Sequence, residues 1–344
     1  YPSESETNML QNKEKRVTIA DIARRADVSI TTVSRVLNDT GYVSDLKRQA
    51  VLHAIAELNY RPNLFAQSLA SGQSKTIGVL TQFIASPIYD LILRGMIEQL
   101  NGSEFSPLIA DGYWNREREM EAIQTFINRS IDGLIILGGN LPKETILELA
   151  HKVPTVIIAR KIPELINQTI DLDDYQAAYE ATQYLIEAGH RRIVHIAGIE
   201  DHSDAVERRQ GYLQALQDAG VTPDPNLIFP GDFTETAGIL AMESLLTRGL
   251  PFSAIFAAND QMAYGARLAL YRRGIRVPQD ISLIGFDDQP PSAYMTPPLT
   301  TVSVPALEIG QAAAQGLLDM LHGKPCSLPA FSLALRIRES VARH

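Results

Sequence analysis

The sequence predicts a small all-α unit followed by an α/β, two-lobed core of parallel doubly wound sheets. Three observations predict it. From Ile77 onward short β-branched runs alternate with helix-like stretches, the mark of parallel sheets wound by helices. Upstream of Ile77 the apolar residues recur only at helical spacing. A chain of 344 residues with 45% hydrophobic content holds more than one domain and buries a sizeable core.

Residues 1–16 are polar, without apolar periodicity or a signal-peptide core, and are read as a disordered tail. Next comes VTIADIARRADVSITTVSRVLN, residues 17–38. Thr18 can cap a helix with inner face Ile19, Ile22, Ala23 and Ala26, and Asp21 stands at the capping-box position. After a turn, Ser29 can cap a second helix that buries Val33, Val36 and Leu37 and leaves Ile30, Thr31, Ser34 and Arg35 outward. This is helix-turn-helix spacing. The second helix would enter a DNA major groove, where Arg35 can make a bidentate contact with guanine. A hairpin used only for packing is the competing reading.

A third helix follows Ser44, with Val51, Leu52, Ile55 and Leu58 closing the small core and Lys47 and Arg48 near phosphate reach. The unit is bounded at 17–61. In residues 62–74 a Pro precedes and a Gly follows a short helical stretch, Asn63 to Ser71. At about nine residues it falls below the roughly 12–15 that a helix needs for stability alone. It is read as a hinge helix and linker, whose folding can be coupled to DNA binding.

The core, residues 75–344, is divided into an N-subdomain of about 75–160 plus 304–333 and a C-subdomain of about 161–303 plus 334–344. Its apolar runs are IGVL at 77, PLIADG at 107, GLIILGG at 133, PTVIIAR at 154, RIVHIAG at 192, AIFAAND at 254 and ISLIGFDD at 281. Between them, Tyr175 to Gly189 and Val206 to Gly220 carry helical spacing and end at Gly, a C-cap signal. In open α/β sheets ligands sit beyond the carboxyl ends of the strands, so the polar residues ending these runs are the pocket candidates.

Charge separates the two parts. Residues 13–72 hold nine Lys/Arg against six Asp/Glu, net +3, whereas residues 73–344 hold 22 against 32, net −10. Only the N-terminal unit can approach phosphates favourably. No apolar run approaches the roughly 18 residues of a membrane span, so no membrane partner and a cytoplasmic location are expected. The single Cys326 cannot form an intrachain disulfide, which fits a reducing compartment.

Enzyme motifs are absent: neither G-x-G-x-x-G, G-x-x-x-x-G-K-S/T, G-x-S-x-G nor H-E-x-x-H occurs. His202-Ser203-Asp204 looks triad-like, but sequence neighbours cannot line up as base, nucleophile and orienter. Seven scattered His without metal-ligand spacing argue against a metal site, and no cofactor is expected. Gly138-Gly139 follows a strand and suits a phosphate cradle or a tight turn equally well. Trp114, after the second core strand, suits either a cleft wall or an exposed loop, the loop being the favoured reading, and Tyr89 suits either pocket wall or packing.

VTIADIARRADVSITTVSRVLN, GYVS and AELNYRPNLFAQSLA resemble the DNA-binding headpiece and hinge helix of the LacI/GalR family. The resemblance continues through GHRRIVHIAG at 189, ERRQGYLQAL at 207, GDFTETAG at 231, AANDQMAYGA at 257, VPQDISLIGFDD at 277 and PPLTTVSVP at 297. It implies a transcriptional repressor, not an enzyme: a homodimer on a palindromic operator in double-stranded DNA, with a periplasmic-binding-protein-like core controlled by a small sugar or nucleoside. The implied DNA-contacting set is Thr18, Ser29, Ile30, Thr31, Thr32, Ser34, Arg35, Asn38, Asn63, Ala66 and Leu69, with Leu69 wedging into the minor groove. The implied effector-contacting set is Tyr89, Arg208, Phe233, Asn259 and Asp287, with Phe233 at the stacking position. Three positions depart from the family pattern: Asp27 for a usual Gly, Ile30 for a frequent aromatic and Ala159 for a frequent Asp. Asx side chains accept left-handed turn geometry, so the headpiece turn is expected to survive. A sugar-binding receptor without DNA function is the alternative, which the headpiece disfavours.

Overall fold

The computed structural model describes residues 17–37, 40–60 and 73–344, in two compact units that meet in the chain between Gly72 and Gln73. In the N-terminal unit, helix α1 spans Ile19–Arg25. Its capping box is formed in both directions, Thr18 N donating to Asp21 Oδ2 at 3.0 Å and Asp21 N to Thr18 Oγ1 at 3.4 Å. The chain then turns through Asp27 at φ +50°, and Val28 N closes the turn on Ala23 O at 3.0 Å. Helix α2 spans Ile30–Leu37 and begins with Thr32 N donating to Ser29 Oγ at 3.1 Å. Helix α3 spans Asp45–Glu57.

Ile22, Ala23, Val33, Val36, Val51 and Ala54 form the buried core of this unit. Leu52 corrects the sequence reading, because it is 54% exposed. One residue along a helix is a rotation of roughly 100°, so Val51 and Leu52 cannot share an inner face; Ala54, three positions on, takes that place.

The core unit carries two sheets. The first has order β2-β1-β3-β4-β5, all parallel, from Thr76–Thr81 (β1), Ser106–Asp111 (β2), Gly133–Leu137 (β3), Thr155–Ile158 (β4) and Thr169–Ile170 (β5). The second has order β11-β10-β9-β8-β6-β7, from Ile193–Ile196 (β6), Ile228–Phe229 (β7), Ala254–Ala257 (β8), Ser282–Asp287 (β9), Thr300–Ser303 (β10) and Ala334–Arg336 (β11). The central strands β3, β8 and β9 are buried on both faces, which is why they read as continuous apolar runs rather than alternating ones. β11 alone among them runs antiparallel, against β10.

The lobe boundary near residue 160 also needs correction. After β4 the chain makes a 3-10 turn at Pro163–Gln168 and returns β5 to the first sheet, pairing Ile158 with Ile170. The crossing into the second lobe therefore follows Ile170. The chain crosses back after β10, when helix α11, Ala306–Leu321, packs into the first lobe's core, and crosses again to place β11.

Helix α4, Pro87–Leu100, meets α11 at two glycines. A Cβ on Gly310 would lie 2.0 Å from the Ile92 carbonyl oxygen, and one on Gly95 would lie 2.1 Å from that of Leu307. The two backbones can approach this closely only because neither position carries a side chain. Among the described residues no helix is long and apolar enough to cross a membrane.

Candidate ligand cleft and nucleic-acid interface

A cavity of about 400 Å³ opens where carboxyl ends of strands from both sheets come together. Gln82 follows β1, Trp114 follows the end of β2, Ala159 follows β4, Asn259 follows β8 and Asp287 closes β9; all line it. The strand-end rule thus locates the cleft. It misses Asp174 and Asp204, which also line the cavity but stand at the first turns of helices α7, Asp174–Glu187, and α8, Ser203–Asp218. Their signal in the sequence is an Asp in the first helical turn, in LDDY and in HSDA.

Arg208 projects from α8 into the polar side of this cavity and is 6% exposed. Its Nε donates to Asp174 Oδ1 at 2.7 Å and its Nη1 to the Ala258 carbonyl at 2.6 Å, while Nη1 also lies 3.7 Å from Asp287 Oδ1. The guanidinium sits over the buried Phe286 ring, 3.7 Å from its centroid. Burial opposes its charge, but Asp174 and Asp287 outweigh burial and hold it protonated. Burial pushes the Asp174 carboxyl up to about 6 and that of Asp287 well above the carboxylate range, with Arg208 opposing both shifts. Asp287 stands at φ +109°, and Gln289 Nε2 donates to its Oδ2 at 3.1 Å.

Asn259 lines the cavity as the N-cap of helix α10, Asp260–Arg272. Both ends of its amide are engaged, Oδ1 accepting from Met262 N and Nδ2 donating to the Phe233 carbonyl, each at 2.9 Å. It therefore holds the Phe233 loop in place. Phe233 adopts φ +67°, and its ring fits only because Gly198 faces it: a Cβ there would lie 2.1 Å from Cζ.

Trp114 is not the exposed loop residue that its position suggests. It lies half-buried in the cavity wall, edge-on to Tyr89 at 6.1 Å and with its ring centroid 3.6 Å from that of His202. His202 in turn stacks toward Phe233 at 6.2 Å. Aromatic area is gained by covering these rings, whereas an exposed Trp loop would leave a large apolar body in water. Tyr89 is a wall residue; burial, then the nearby Asp204 charge, keeps its phenol protonated.

His202-Ser203-Asp204 makes no relay, because neither ring nitrogen of His202 has a hydrogen-bond partner among the described residues, and Asp204 Oδ1 accepts from Ala205 N at 2.8 Å. Gly138 and Gly139 both take positive φ, +63° and +91°, in a tight turn. A Cβ on Gly139 would lie 2.4 Å from Gln82 Nε2 and 3.0 Å from the buried Glu119 carboxyl, which accepts from Asn140 N at 2.9 Å, so the protein's own side chains fill the turn and it is no phosphate cradle. Among the described residues no group of three His, Cys, Asp or Glu could hold a metal.

On the N-terminal unit, Ile30, Thr31 and Arg35 are exposed along α2, with Ile30 at 57%. Thr32 and Ser34 are half-buried, and the exposed Thr18 and Ser29 use their hydroxyls in helix caps. Asn38, Asn63, Ala66 and Leu69 lie outside the described residues, as do the 1–16 tail and residues 62–72 of the hinge and linker.

A helix-turn-helix with an exposed second helix, on a chain whose core is a two-lobed cleft of polar and aromatic walls, defines a ligand-binding transcriptional regulator. Comparison with known proteins narrows this. The family described as bacterial regulatory proteins, lacI family, matches residues 18–63, and the periplasmic binding protein-like domain matches residues 182–341. The HTH-type transcriptional repressor CytR of Escherichia coli (strain K12) is 37% identical, covering 91% of this chain and 92% of its own. The ribose operon repressor of Haemophilus influenzae is 36% identical over 88% of this chain and 92% of its own. Among solved structures, the lac repressor dimer bound to operator and the anti-inducer ONPF superposes with TM-score 0.85 at 29% identity, covering 95% of this chain and 100% of that one. A CelR–cellobiose complex superposes with TM-score 0.68 at 35% identity over 94% and 100%. The chain belongs to the lacI family of bacterial regulatory proteins. It is a transcriptional regulator rather than an enzyme.

Proposed function

We propose that this protein is a cytoplasmic repressor that binds a palindromic operator as a homodimer and is controlled by a sugar or related small molecule in the interlobe cleft. The observation that carries the reading is the Arg208–Asp174–Asp287 cluster inside a cleft walled by Tyr89, Trp114 and Phe233. A guanidinium and a carboxylate each engage paired hydroxyls, while an aromatic ring covers the apolar face of a pyranose or furanose. Tyr89, Arg208, Phe233 and Asp287 are assigned to effector contact, and Asn259 to positioning Phe233.

In this reading residues 17–61 form the DNA reader and 62–74 the hinge. Ile30, Thr31 and Arg35 read bases; Thr18, Ser29, Thr32, Ser34, Asn38, Asn63 and Ala66 support the contact, and Leu69 wedges the minor groove. The operator-bound dimer described for the lac repressor supports the arrangement. Lobe closure around the effector then changes operator affinity, for which a coupling of about 1–3 kcal/mol suffices.

The test begins with an operator selected from a random duplex pool and a thermal-shift screen of sugars and nucleosides, since a native-state ligand raises stability. A hit should alter operator mobility shifts of the wild type and leave those of Arg208→Ala unchanged. An equal response in both proteins removes the cleft from the mechanism.

A further inference from the structure

The charge of the cavity wall limits what it can admit, given its reading as the effector site. Asp174, Asp204, Asp232 and Asp287 line the cavity, and Arg208 is the one cation among the lining residues. The charge of that guanidinium is already balanced by Asp174 and Asp287, and its Nε and Nη1 donate to Asp174 and the Ala258 carbonyl. The adjoining recess of about 190 Å³ adds Arg160 and Lys161, but with them Asp171 and Glu207. Lys161 bridges Glu207 at 2.8 Å and Asp171 at 3.7 Å, and Arg160 Nη1 donates to the Leu141 carbonyl at 2.8 Å. Each neighbouring cation thus has a partner in place, while carboxylates outnumber cations throughout.

The same wall suits hydroxyls. Carboxylates accept from them. The charged groups come from the second lobe and from the crossing at Asp174, whereas Ile88, Ile92, Leu137 and Ile158 of the first lobe are apolar. A ligand therefore meets hydrogen-bonding groups on one side and an uncharged face on the other.

We infer that the effector is an uncharged, hydroxyl-bearing ring compound, and that Asp204 and Asp232 exclude its phosphorylated form. In a partly enclosed cleft, like-charge repulsion is screened much less than at the surface. The test uses the full-length protein and matched pairs, D-ribose with ribose 5-phosphate, D-galactose with galactose 1-phosphate, and uridine with uridine monophosphate. Melting shifts and calorimetric titration read each pair.

At least one uncharged member should bind, with its phosphorylated partner about 100-fold weaker or more. The Asp204→Asn/Asp232→Asn double variant should narrow that ratio about tenfold. Asp232 is exposed, so Asp232→Asn alone serves if the double variant does not fold, with a smaller narrowing expected. A phosphorylated member that binds as tightly as its partner overturns the inference and leaves the cleft as effector site. An unchanged ratio in the variant overturns the charge account, leaving size as the filter. No binding by any member of any pair sinks the reading of the cleft, and the inference falls with it.

Discussion

The Trp114 indole and the His202 imidazole lie 3.6 Å apart, centroid to centroid, across the interlobe cleft. Trp114 is carried by the loop after β2 of the first lobe and His202 by the cap of α8 in the second, so this contact exists only while the lobes are together. Trp114 is the chain's single tryptophan, so its emission reports this cleft alone. Effector binding should change the intensity or wavelength of that emission. Trp114→Ala should weaken effector binding about 2- to 10-fold, the worth of one aromatic pair, with the melting temperature nearly kept. Emission that stays constant while calorimetry reports saturation would argue against closure at this contact.

Arg208 balances two buried carboxylates, and removing it exposes what it balances. Arg208→Ala leaves Asp174 and Asp287 without their cation, a loss of about 3–5 kcal/mol for a broken buried pair. Both carboxyls are already raised, Asp174 to about 6 and Asp287 well above its ordinary range, by burial against the opposing pull of Arg208. Without that pull they rise further. A carboxyl raised in the folded state contributes stability that is full below the unfolded value and is lost as pH rises through the folded one. The variant's deficit should therefore be small near pH 4.5 and large at pH 8, as read by urea midpoints. A deficit equal at both pH values would mean that the loss is one of packing.

How much of this was legible in the sequence depends on the kind of residue. Thr18 and Asp21 announce their capping box by spacing alone, because the two partners are three residues apart. Asp287 and Asn259 announce themselves at the ends of apolar runs. Trp114 does not: what places it is His202, 88 positions away and in the other lobe, and no local pattern carries that pairing. Nor does β5, two residues long, whose membership in the first sheet rests on β4 rather than on its own composition. Leu52 differs again, because its apolar type suits the small core while its angle on the helix turns it outward.

His195 gives the core an acid sensitivity of its own. Its ring is fully buried between Tyr212 and Phe256, with Nδ1 against the Phe256 carbonyl at 3.0 Å, so Nδ1 carries the proton and donates. Nε2 has no partner among the described residues. Burial pushes the imidazole down to about 4 from its ordinary 6.5, against that hydrogen bond. Between those values the unfolded chain binds a proton that the folded one does not, so stability falls as pH drops through this window, by about 3 kcal/mol in all. The raised carboxyls act in the opposite sense and blur the wild-type curve. His195→Gln keeps them, so the difference between wild type and variant isolates the histidine. That difference should shift in the variant's favour by this amount from pH 7 to pH 4; a pH-independent difference would refute the assignment.

The base-reading role proposed for Arg35 can be separated from mere attraction. Arg35 stands exposed near the end of α2, beyond Ile30 and Thr31, on the face opposite the buried Val33 and Val36. A guanidinium there can take guanine bidentately, a contact worth about 1–3 kcal/mol of discrimination, whereas general attraction to phosphates is shared with the other basic residues of the unit. Arg35→Ala should therefore weaken binding to the selected operator about 5- to 150-fold and lower affinity for unrelated duplex far less. Arg35→Lys keeps the charge but not the planar fork, and should restore salt-dependent affinity without the preference for guanine. Titrations at several salt concentrations on both duplexes check this. If Lys restores full discrimination, Arg35 acts on phosphate and the base-reading role passes to Ile30 and Thr31.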